Sequence, residues 1–312
     1  AQLLLKEGQR REALVALRES FRLEPNDATR ALLVDTLLRA LQKDFAANED
    51  LATEVEKLID QPLQRTEYLR LMTVGLQQVG KRMAALRACV KLIDATTKHS
   101  VIETPDSNLR VRRDRWIQVQ LANIISGTLG RDRQAMDQLV EERMTTARRT
   151  GSSEGLREFL LHFGFHARAD AARLLLAERL LAADHFLEPE VLLITLGHST
   201  QPHLASRADA LLAQLYQNKR LDSLAARQFQ HLKEEWPHVK CLGGKTGREL
   251  WQEARSDQNL KMASVTPASW PKGDIKVAYQ DQVKQYSVSY QQFHPLDNFH
   301  ARGPGLENID LA

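Results

Sequence analysis

The sequence predicts a mainly α protein, an α-solenoid of antiparallel helix pairs that is degenerate in the middle, with an extended C-terminal tail carrying short β-strands. Three observations favour this fold class. Leu, Ala, Arg and Gln, which lose little rotamer freedom in a helix, dominate the first three-quarters of the 312 residues. A helix–turn–helix pattern recurs along that part of the chain. Beyond Pro237, strand-like alternation replaces the helical period.

Apolar spacing and turn residues predict a series of helices joined by short connections. They span residues 1–7, 9–23, 28–43, 46–60, 63–79, 81–97, 109–128, 131–149, 153–163, 167–183, 188–197, 202–218 and 221–235. Asn26 or Asp27 can cap the third helix, and Pro202 suits a first helical turn. Helices of this length with short turns pack as antiparallel neighbours. Residues 98–108 predict a loop, because Thr, Pro, Asp, Ser and Asn favour turns.

The unit near the N-terminus shows the recurring pattern most clearly. Gly8 permits a tight turn, and the helix that follows stops before Pro25, whose ring cannot continue a helix. Ala13, Leu17 and Ser20 lie on one face of that helix at spacings of four and three. The small residues on this face allow a neighbouring helix to approach closely.

The same pattern recurs further along the chain. An alanine stands five residues after a turn glycine three more times, and once after an arginine in the place of the glycine. These pairs are Gly80–Ala85, Gly130–Ala135, Gly164–Ala169 and Arg220–Ala225. Cys89 and Phe229 take the next position of the predicted buried face in two of these units. Glu142 and Arg173 fall where apolar or small residues are expected, so the middle of the array is degenerate.

These units resemble the tetratricopeptide repeat, a helix–turn–helix unit of about 34 residues. In that family the first helix of each pair lines the concave side of the array, where partner peptides lie. Carried over to this chain, the resemblance implies partner-binding residues at Glu67, Arg70, Gln77, Gln78, Gln120, Arg207, Gln214 and Asn218. Their polar side chains suit hydrogen bonding to a peptide. The alternative is that they are ordinary solvent-facing residues.

Composition excludes several classes of protein. The formal net charge is +3, from 43 basic and 40 acidic residues, and this near balance favours neither a nucleic-acid binder nor a membrane-surface protein. No apolar run approaches the roughly 18 residues needed to span a bilayer. The two cysteines, Cys89 and Cys241, predict neither a disulfide framework nor a zinc site. Because Ala1 already lies inside a predicted helix, we expect the sequence to be part of a longer protein.

The tail after Pro237 carries a different pattern. Apolar and polar residues alternate in residues 275–279 and 286–290, which predicts two strands. A lone hairpin is marginal in water, so we expect a downstream domain to cover it. Trp251 and Trp270 are predicted to tie the start of the tail to the last helix pair.

The segment from Gly243 to Thr246 invites three interpretations. It resembles the end of a phosphate-binding P-loop, but Val239 stands where the first glycine is required, so we expect no nucleotide there. Thr246 and Glu249 fit a capping box that opens a short helix, which is the interpretation we favour. Residues 239–251 also resemble one blade motif of pyrroloquinoline-quinone-type β-propellers, which hints at a multidomain protein that also carries a propeller.

Two further clusters hold residue types that can bind a metal or a phosphate. His162 and His166 have a spacing that could hold a metal on a helix, but Gly164 lies at a predicted helix break and no Glu or Cys nearby completes a site. The basic run from Arg110 to Arg115 suggests either a phosphate-contacting patch or a solvated helix face, and we favour the latter. No Ser/His/Asp order, carboxylate pair or dinucleotide loop is present, so the sequence predicts no enzyme, cofactor or metal.

The predicted function follows from the helical repeats. Residues 1–237 are expected to form the solenoid, and residues 238–312 a linker with a short helix and extended segments leading to a missing downstream domain. We expect a non-catalytic protein–protein interaction scaffold that binds a partner segment on the concave face. The alternative is a structural spacer between flanking domains, and a nucleotide-binding or enzymatic module is the third. The sequence indicates no compartment.

Overall fold

Helices follow one another along almost all of the chain that the computed structural model describes, which is residues 9–95, 101–103 and 110–265. The helices are α1 (Arg10–Leu23), α2 (Asp27–Lys43), α3 (Phe45–Asn48), α4 (Leu51–Leu58), α5 (Pro62–Gln78), α6 (Arg82–Asp94), α7 (Arg113–Ser126), α8 (Gly130–Arg149), α9 (Ser153–Phe163), α10 (Ala169–Ala182), α11 (Leu187–Gly197), α12 (Pro202–Asn218), α13 (Asp222–Glu235), α14 (Gly247–Ala254) and α15 (Gln258–Val265). The strands are β1 (Val101–Glu103), β2 (Arg110–Arg112), β3 (Lys240–Leu242) and β4 (Lys245–Thr246). The predicted mainly α fold class is confirmed.

Local sequence signals fix several helix ends. The Asn26 side chain accepts a hydrogen bond from the backbone N–H of Thr29 at 2.8 Å and caps α2. Pro62 and Pro202 stand in the first turns of α5 and α12, where the missing N–H costs nothing. At the end of α5, Gly80 has a φ of +79°, which glycine adopts without strain. These signals place the helix starts and the turn where the sequence predicted them.

Two predicted helices differ from the observed elements. The helix expected over residues 46–60 divides at Glu49–Asp50 into α3 and α4, and the Asp44 side chain caps α3 through the N–H of Ala47. The helix expected over residues 109–128 begins only at Arg113, because the residues before it form β2 and pair with β1 in antiparallel register. The predicted helix over residues 1–7 lies outside the described residues.

The helices pack in two layers. Layer A holds α2, α5, α7, α9, α11 and α13, and layer B holds α1, α4, α6, α8, α10, α12 and α14. Each helix packs against the next in the chain at most steps. Neighbours within one layer also touch, as α2, α5, α7 and α9 do in layer A and α10, α12 and α14 in layer B. The described part is therefore a stacked helical array, as expected of repeats whose units cannot bury their apolar faces alone.

A ladder of ion pairs links successive members of layer B and the turns beside them. The pairs are Arg18–Glu54, Glu49–Lys81, Glu56–Lys91, Asp94–Arg143, Glu141–Arg168, Glu178–Arg207 and Asp184–Lys219. In five of them the partners lie 29 to 36 residues apart, close to the length of one helix pair. Asp94 and Arg143 are 49 apart, because the connection between α6 and α7 is longer. Exposed pairs contribute at most about 1 kcal/mol each. The ladder therefore does more to align neighbouring helices of layer B than to stabilise the fold.

The core confirms most of the predicted close-contact positions. Ala13, Ala85, Ala169 and Ala225 are fully buried, and so is Cys89. One position is wrong, because Ala135 of α8 is exposed and Met136 takes the buried place. The physical reason is that α8 begins at its turn glycine, whereas α6 begins two residues after its own. An altered start rotates the helix face that meets the core.

The buried side chains form two apolar clusters that meet on α10. The first runs from Leu14 to Leu180 and the second from Leu174 to Leu260. Helix α10 serves both, since Leu176 points into the first cluster and Leu174 into the second. The stack is therefore continuous through α10.

Residues 240–265 pack onto the last two long helices. The hairpin β3–β4 lies against α12, and α14 and α15 lie against α13. Trp251 of α14 is flanked by the Lys233 ammonium, 4.2 Å from the ring centroid, and by the Arg255 guanidinium at 4.8 Å. The predicted anchoring of this segment by Trp251 is confirmed. Trp270 and the predicted strands over 275–290 lie outside the described residues, and the boundary at residue 237 stays a prediction.

Candidate functional site

The eight predicted partner-binding residues fall into two groups. Five lie on layer A and three on the layer B helix α12. The layer A residues are Glu67, Arg70, Gln77 and Gln78 on α5 and Gln120 on α7, and the α12 residues are Arg207, Gln214 and Asn218. The structure therefore does not bring all eight onto the first helices of successive pairs, because α12 follows α11 as the second helix of its pair. Binding by these residues stays a prediction.

Three of the predicted residues, Glu67, Arg70 and Arg207, are already engaged within the chain. Arg70 is buried, and its guanidinium donates to both carboxylate oxygens of Glu67, with Nε 2.8 Å from Oε2. Arg207 pairs with Glu178 in the layer B ladder. Gln78, Gln214 and Asn218 are exposed and keep their side chains available to a partner, whereas Gln77 and Gln120 are half-buried.

Exposed large apolar side chains concentrate on layer A. Six of them lie on its helices, whereas those on layer B helices within the described chain are confined to α1. The six are Leu63, Val119, Leu187, Val191, Ile194 and Leu224. Three of them, Leu187, Val191 and Ile194, follow one another at spacings of four and three on α11 and are 71%, 63% and 46% exposed. We call these three residues the α11 stripe. Such spacing places them on one face of the helix.

The α11 stripe is bordered by polar groups that are held in place. Glu188 accepts two hydrogen bonds from Arg157 of α9, with Nε 2.7 Å from Oε1. Glu190 accepts a hydrogen bond from the Tyr216 hydroxyl of α12 at 2.9 Å. Leu193 and Leu196 on the opposite side of α11 are fully buried. The helix is therefore fixed by its buried side, and its apolar outer face stays exposed.

A cleft of about 180 Å³ opens between α6, α8 and α9. Its polar lining includes Asp94, Arg143, Glu158 and His162, and its apolar floor includes Phe159. The rings of Phe159 and Phe163 stack at a centroid distance of 5.3 Å. Arg143 spans to Asp94 and donates from Nη1 to Oδ1 at 2.7 Å.

His162 is the most deeply buried titratable group of the cleft. Only 7% of it is exposed, and its Nδ1 lies 3.0 Å from the Glu158 carbonyl oxygen, to which it donates. This hydrogen bond assigns the proton to Nδ1 and leaves Nε2 as an acceptor. Burial lowers the pKa of His162 below its ordinary value of 6.5. The ring is therefore neutral at pH 7.

His166 occupies a separate environment. Its Nε2 lies 2.9 Å from Oδ1 of Asp137, and its Nδ1 accepts the backbone N–H of Arg168 at 3.2 Å. Both histidines are buried and hydrogen-bonded within the chain. Among the described residues, no group of three or more His, Cys, Asp or Glu is placed to hold a metal ion.

The glycines of the suspected P-loop have a different role. Gly243 and Gly244 have φ values of +58° and +79° and form the two-residue turn of the β3–β4 hairpin. The Lys245 ammonium pairs with Glu253 at 2.6 Å. Thr246 and Glu249 form the predicted capping box, which is confirmed. Residues of the propeller-like motif thus form a short hairpin and the start of α14.

Only part of the basic run before α7 is the solvated helix face that we expected, because Arg115 is exposed on α7 but the residues before it differ. Arg110 and Arg112 lie in β2. Arg113 is buried, and its Nη2 donates to the Leu92 carbonyl at 2.9 Å. Arg112 pairs with Asp114 at 2.7 Å. The run therefore helps to join α6 to α7.

No protein-family model, no curated protein and no solved structure matches this chain. None of the helices in the described ranges has both the length and the apolar character needed to cross a membrane. Function must therefore be argued from the surfaces and the cleft themselves.

Sequence reasoning missed both the α11 stripe and the cleft. The stripe had a signal, because the run Val191–Leu196 carries more apolar residues than one buried face of an 11-residue helix requires. The cleft had none that we can identify, since Asp94 and Glu158 lie far apart in the sequence and meet only through the packing of α6, α8 and α9.

Proposed function

We propose that this protein is a non-catalytic interaction scaffold, a tetratricopeptide-like array that binds a helical segment of a partner on layer A. The observation that carries the proposal is the α11 stripe of Leu187, Val191 and Ile194. Apolar side chains at this spacing are the usual counterpart of an amphipathic helix whose own apolar residues recur at i, i+4 and i+7.

The exposed area of the stripe sets the scale of the interaction. Complete burial of a Val, Leu or Ile side chain is worth about 1.5–3 kcal/mol. The three side chains are between about half and three-quarters exposed, so covering them contributes roughly 3–5 kcal/mol before the costs of association. This gain alone supports weak binding, so the interface should extend over neighbouring layer A residues. Exposed Leu224 of α13 is an apolar candidate, and Gln78 on α5 is a polar one.

The test compares recovery of partner proteins by the wild-type chain and a triple variant, Leu187→Ser, Val191→Ser and Ile194→Ser. Val15→Ser on α1 is the matched control, because Val15 is 65% exposed but lies on layer B. Substitutions at exposed positions usually change stability by at most about 0.5 kcal/mol, and thermal unfolding checks this. A protein retained by the wild type and the control but lost by the triple variant is the expected result. Equal recovery by all three contradicts the proposal.

A structural spacer is the rival function, and the ion-pair ladder of layer B favours it. Linked repeats along one layer suit a rod that holds flanking domains at a set distance. A spacer needs no partner on α11, so it predicts that the triple variant behaves like the wild type. The flanking β-propeller suggested by residues 239–251 stays a prediction.

A further inference from the structure

We propose that the cleft between α6, α8 and α9 binds an alkylammonium group, with the N–H donors directed at Glu158 and His162 and the alkyl stem over Phe159. This site is separate from the α11 stripe and does not depend on the function proposed for it. The proposal rests on the hydrogen-bonding capacity left in the cleft, on its charge and on its size.

Several donors of the cleft are already in use. Arg143 donates through both Nη atoms to Asp94. The Thr146 and Thr150 hydroxyls donate to backbone carbonyls of their own helix, each at 2.9 Å. The N–H of His162 donates to the carbonyl of Glu158. Among these groups, the donors left for a ligand are the three N–H groups that Arg143 keeps beyond its two bonds to Asp94.

The acceptors of the cleft remain available. His162 is more than nine-tenths buried, and its Nε2 lone pair has no partner among the described residues. The Glu158 carboxylate makes no hydrogen bond or ion pair with any described residue, and the threonine hydroxyls keep their lone pairs. An ammonium group is the complement of such a set, because it carries three donors and no acceptor.

Charge favours a cation as well. The opposite charges of Asp94 and Arg143 offset each other across their ion pair. Arg113 and Asp114 of α7 act on His162 in opposite senses. The neutral imidazole adds no charge, so Glu158 leaves the cleft with one negative charge. That carboxylate also lies close enough to Arg143 to help raise the pKa of the guanidinium.

The cleft itself is small. The cleft measures about 180 Å³, whereas pockets for drug-sized molecules measure about 300–1,000 Å³. It corresponds to the liquid volume of about six water molecules. A short alkyl chain with one ammonium group suits this space, either as a free amine or as a lysine side chain of a peptide.

The experiment uses the full chain labelled with ¹⁵N-histidine and follows the Nε2 resonance of His162, which is assigned by its loss in His162→Gln. The probes are n-butylammonium and n-butyltrimethylammonium, which has the charge and the stem but no N–H donor. We expect a saturable shift with n-butylammonium and about tenfold weaker binding of the trimethyl compound, the effect of losing one charge-assisted hydrogen bond. Equal binding of the two probes, or no shift with n-butylammonium, overturns the proposal.

Two variants separate a specific site from a general attraction of cations. Glu158→Gln keeps the shape of the side chain but removes its charge, and it should weaken n-butylammonium binding about tenfold. Glu235→Gln, an exposed carboxylate at the end of α13, is the control and should change it less than about twofold. Equal weakening in both variants refutes the site. If circular dichroism shows that Glu158→Gln is unfolded, the comparison of the two probes on the wild-type chain still tests the proposal.

A capped Ala-Lys-Ala peptide distinguishes the two sources of the ammonium group. Tighter binding of the peptide than of n-butylammonium assigns the cleft to a lysine of a partner. Binding of n-butylammonium without binding of the peptide assigns it to a free amine. Failure of both contradicts the proposal and leaves the scaffold function unaffected.

Discussion

Asp209 offers the sharpest test of how the C-terminal helices are held together. This residue of α12 is only 4% exposed, and its carboxylate joins α13 and the turn after it. It accepts the indole N–H of Trp236 at 2.8 Å and the amide of Gln228 at 3.0 Å, and Nε2 of His231 lies 3.4 Å away. Replacement by alanine removes the acceptor from both donors at once.

The expected loss of stability in Asp209→Ala follows from the two donors that lose their acceptor. A buried donor without a partner costs about 1–3 kcal/mol. Trp236 and Gln228 are half-buried, so water can reach part of each and the lower half of that range applies. We expect Asp209→Ala to lower the free energy of unfolding by about 2–4 kcal/mol. Asp209→Asn should cost less, because its remaining oxygen can still accept one of the two bonds.

Chemical denaturation measures the loss, and hydrogen exchange locates it. Because each helix depends mainly on its neighbours in the stack, amide protection should fall in α12, α13 and α14 and persist in α2 and α5. Glu235→Ala is the matched control and should change stability by at most about 0.5 kcal/mol. If Asp209→Ala leaves the unfolding curve within 0.5 kcal/mol of the wild type, which is about the size of the control effect, the reasoning is refuted.

The direction in which stability changes with pH gives an independent test of Asp209. Burial raises the pKa of Asp209 above its ordinary value of 3.8, against the opposing effect of the hydrogen bonds from Trp236 and Gln228. The folded chain therefore holds this proton more tightly than the unfolded chain does. The stability of the wild type relative to Asp209→Asn should rise as the pH falls towards 3.8. An opposite trend would show that the carboxylate is stabilised by its partners.

Three further perturbations test other parts of the structure. In Gly247→Ala the new Cβ would lie 2.2 Å from the Leu232 carbonyl oxygen, so we expect a loss of about 1–3 kcal/mol in thermal unfolding. Ala85→Arg forces a long charged side chain into a fully buried helix contact, and its melting temperature should fall by several degrees. His162 has a folded pKa below 6.5, so the stability gained from its neutral form is lost as the pH falls below that value. Unfolding of the wild type and His162→Gln at about pH 5 and 7.5 should show this difference.

Helix positions were largely predictable because local signals mark them. The predicted ranges 153–163 and 202–218 agree with α9 and α12 at both ends. Ser152 caps the first of these through the N–H of Gly155 at 3.1 Å, and Pro202 begins the second. Such signals act within a few residues of the chain and so can be recognised without the tertiary structure.

The layer that a helix joins and the face that it buries were less predictable. Both depend on the number and the start of the helices that precede it in the stack. The residues around Arg220 have the spacing of the first and second helices of one repeat. Because α11 lies between α10 and α12 in the chain, α12 instead joins α10 in layer B. The shift from Ala135 to Met136 arises in the same way, from one altered helix start. The cleft depends on how α6, α8 and α9 diverge, and no short stretch of sequence encodes that.

Photo-crosslinking from α11 detects a partner on layer A without any purification step. A benzophenone amino acid is placed at Val191 in the full chain, and at Val15 on layer B as the control, and the cells that produce each variant are irradiated. We expect a discrete adduct from position 191 that is absent from position 15, although the two sites are comparably exposed. No adduct from position 191, or the same adducts from both positions, would contradict a partner-binding surface on layer A.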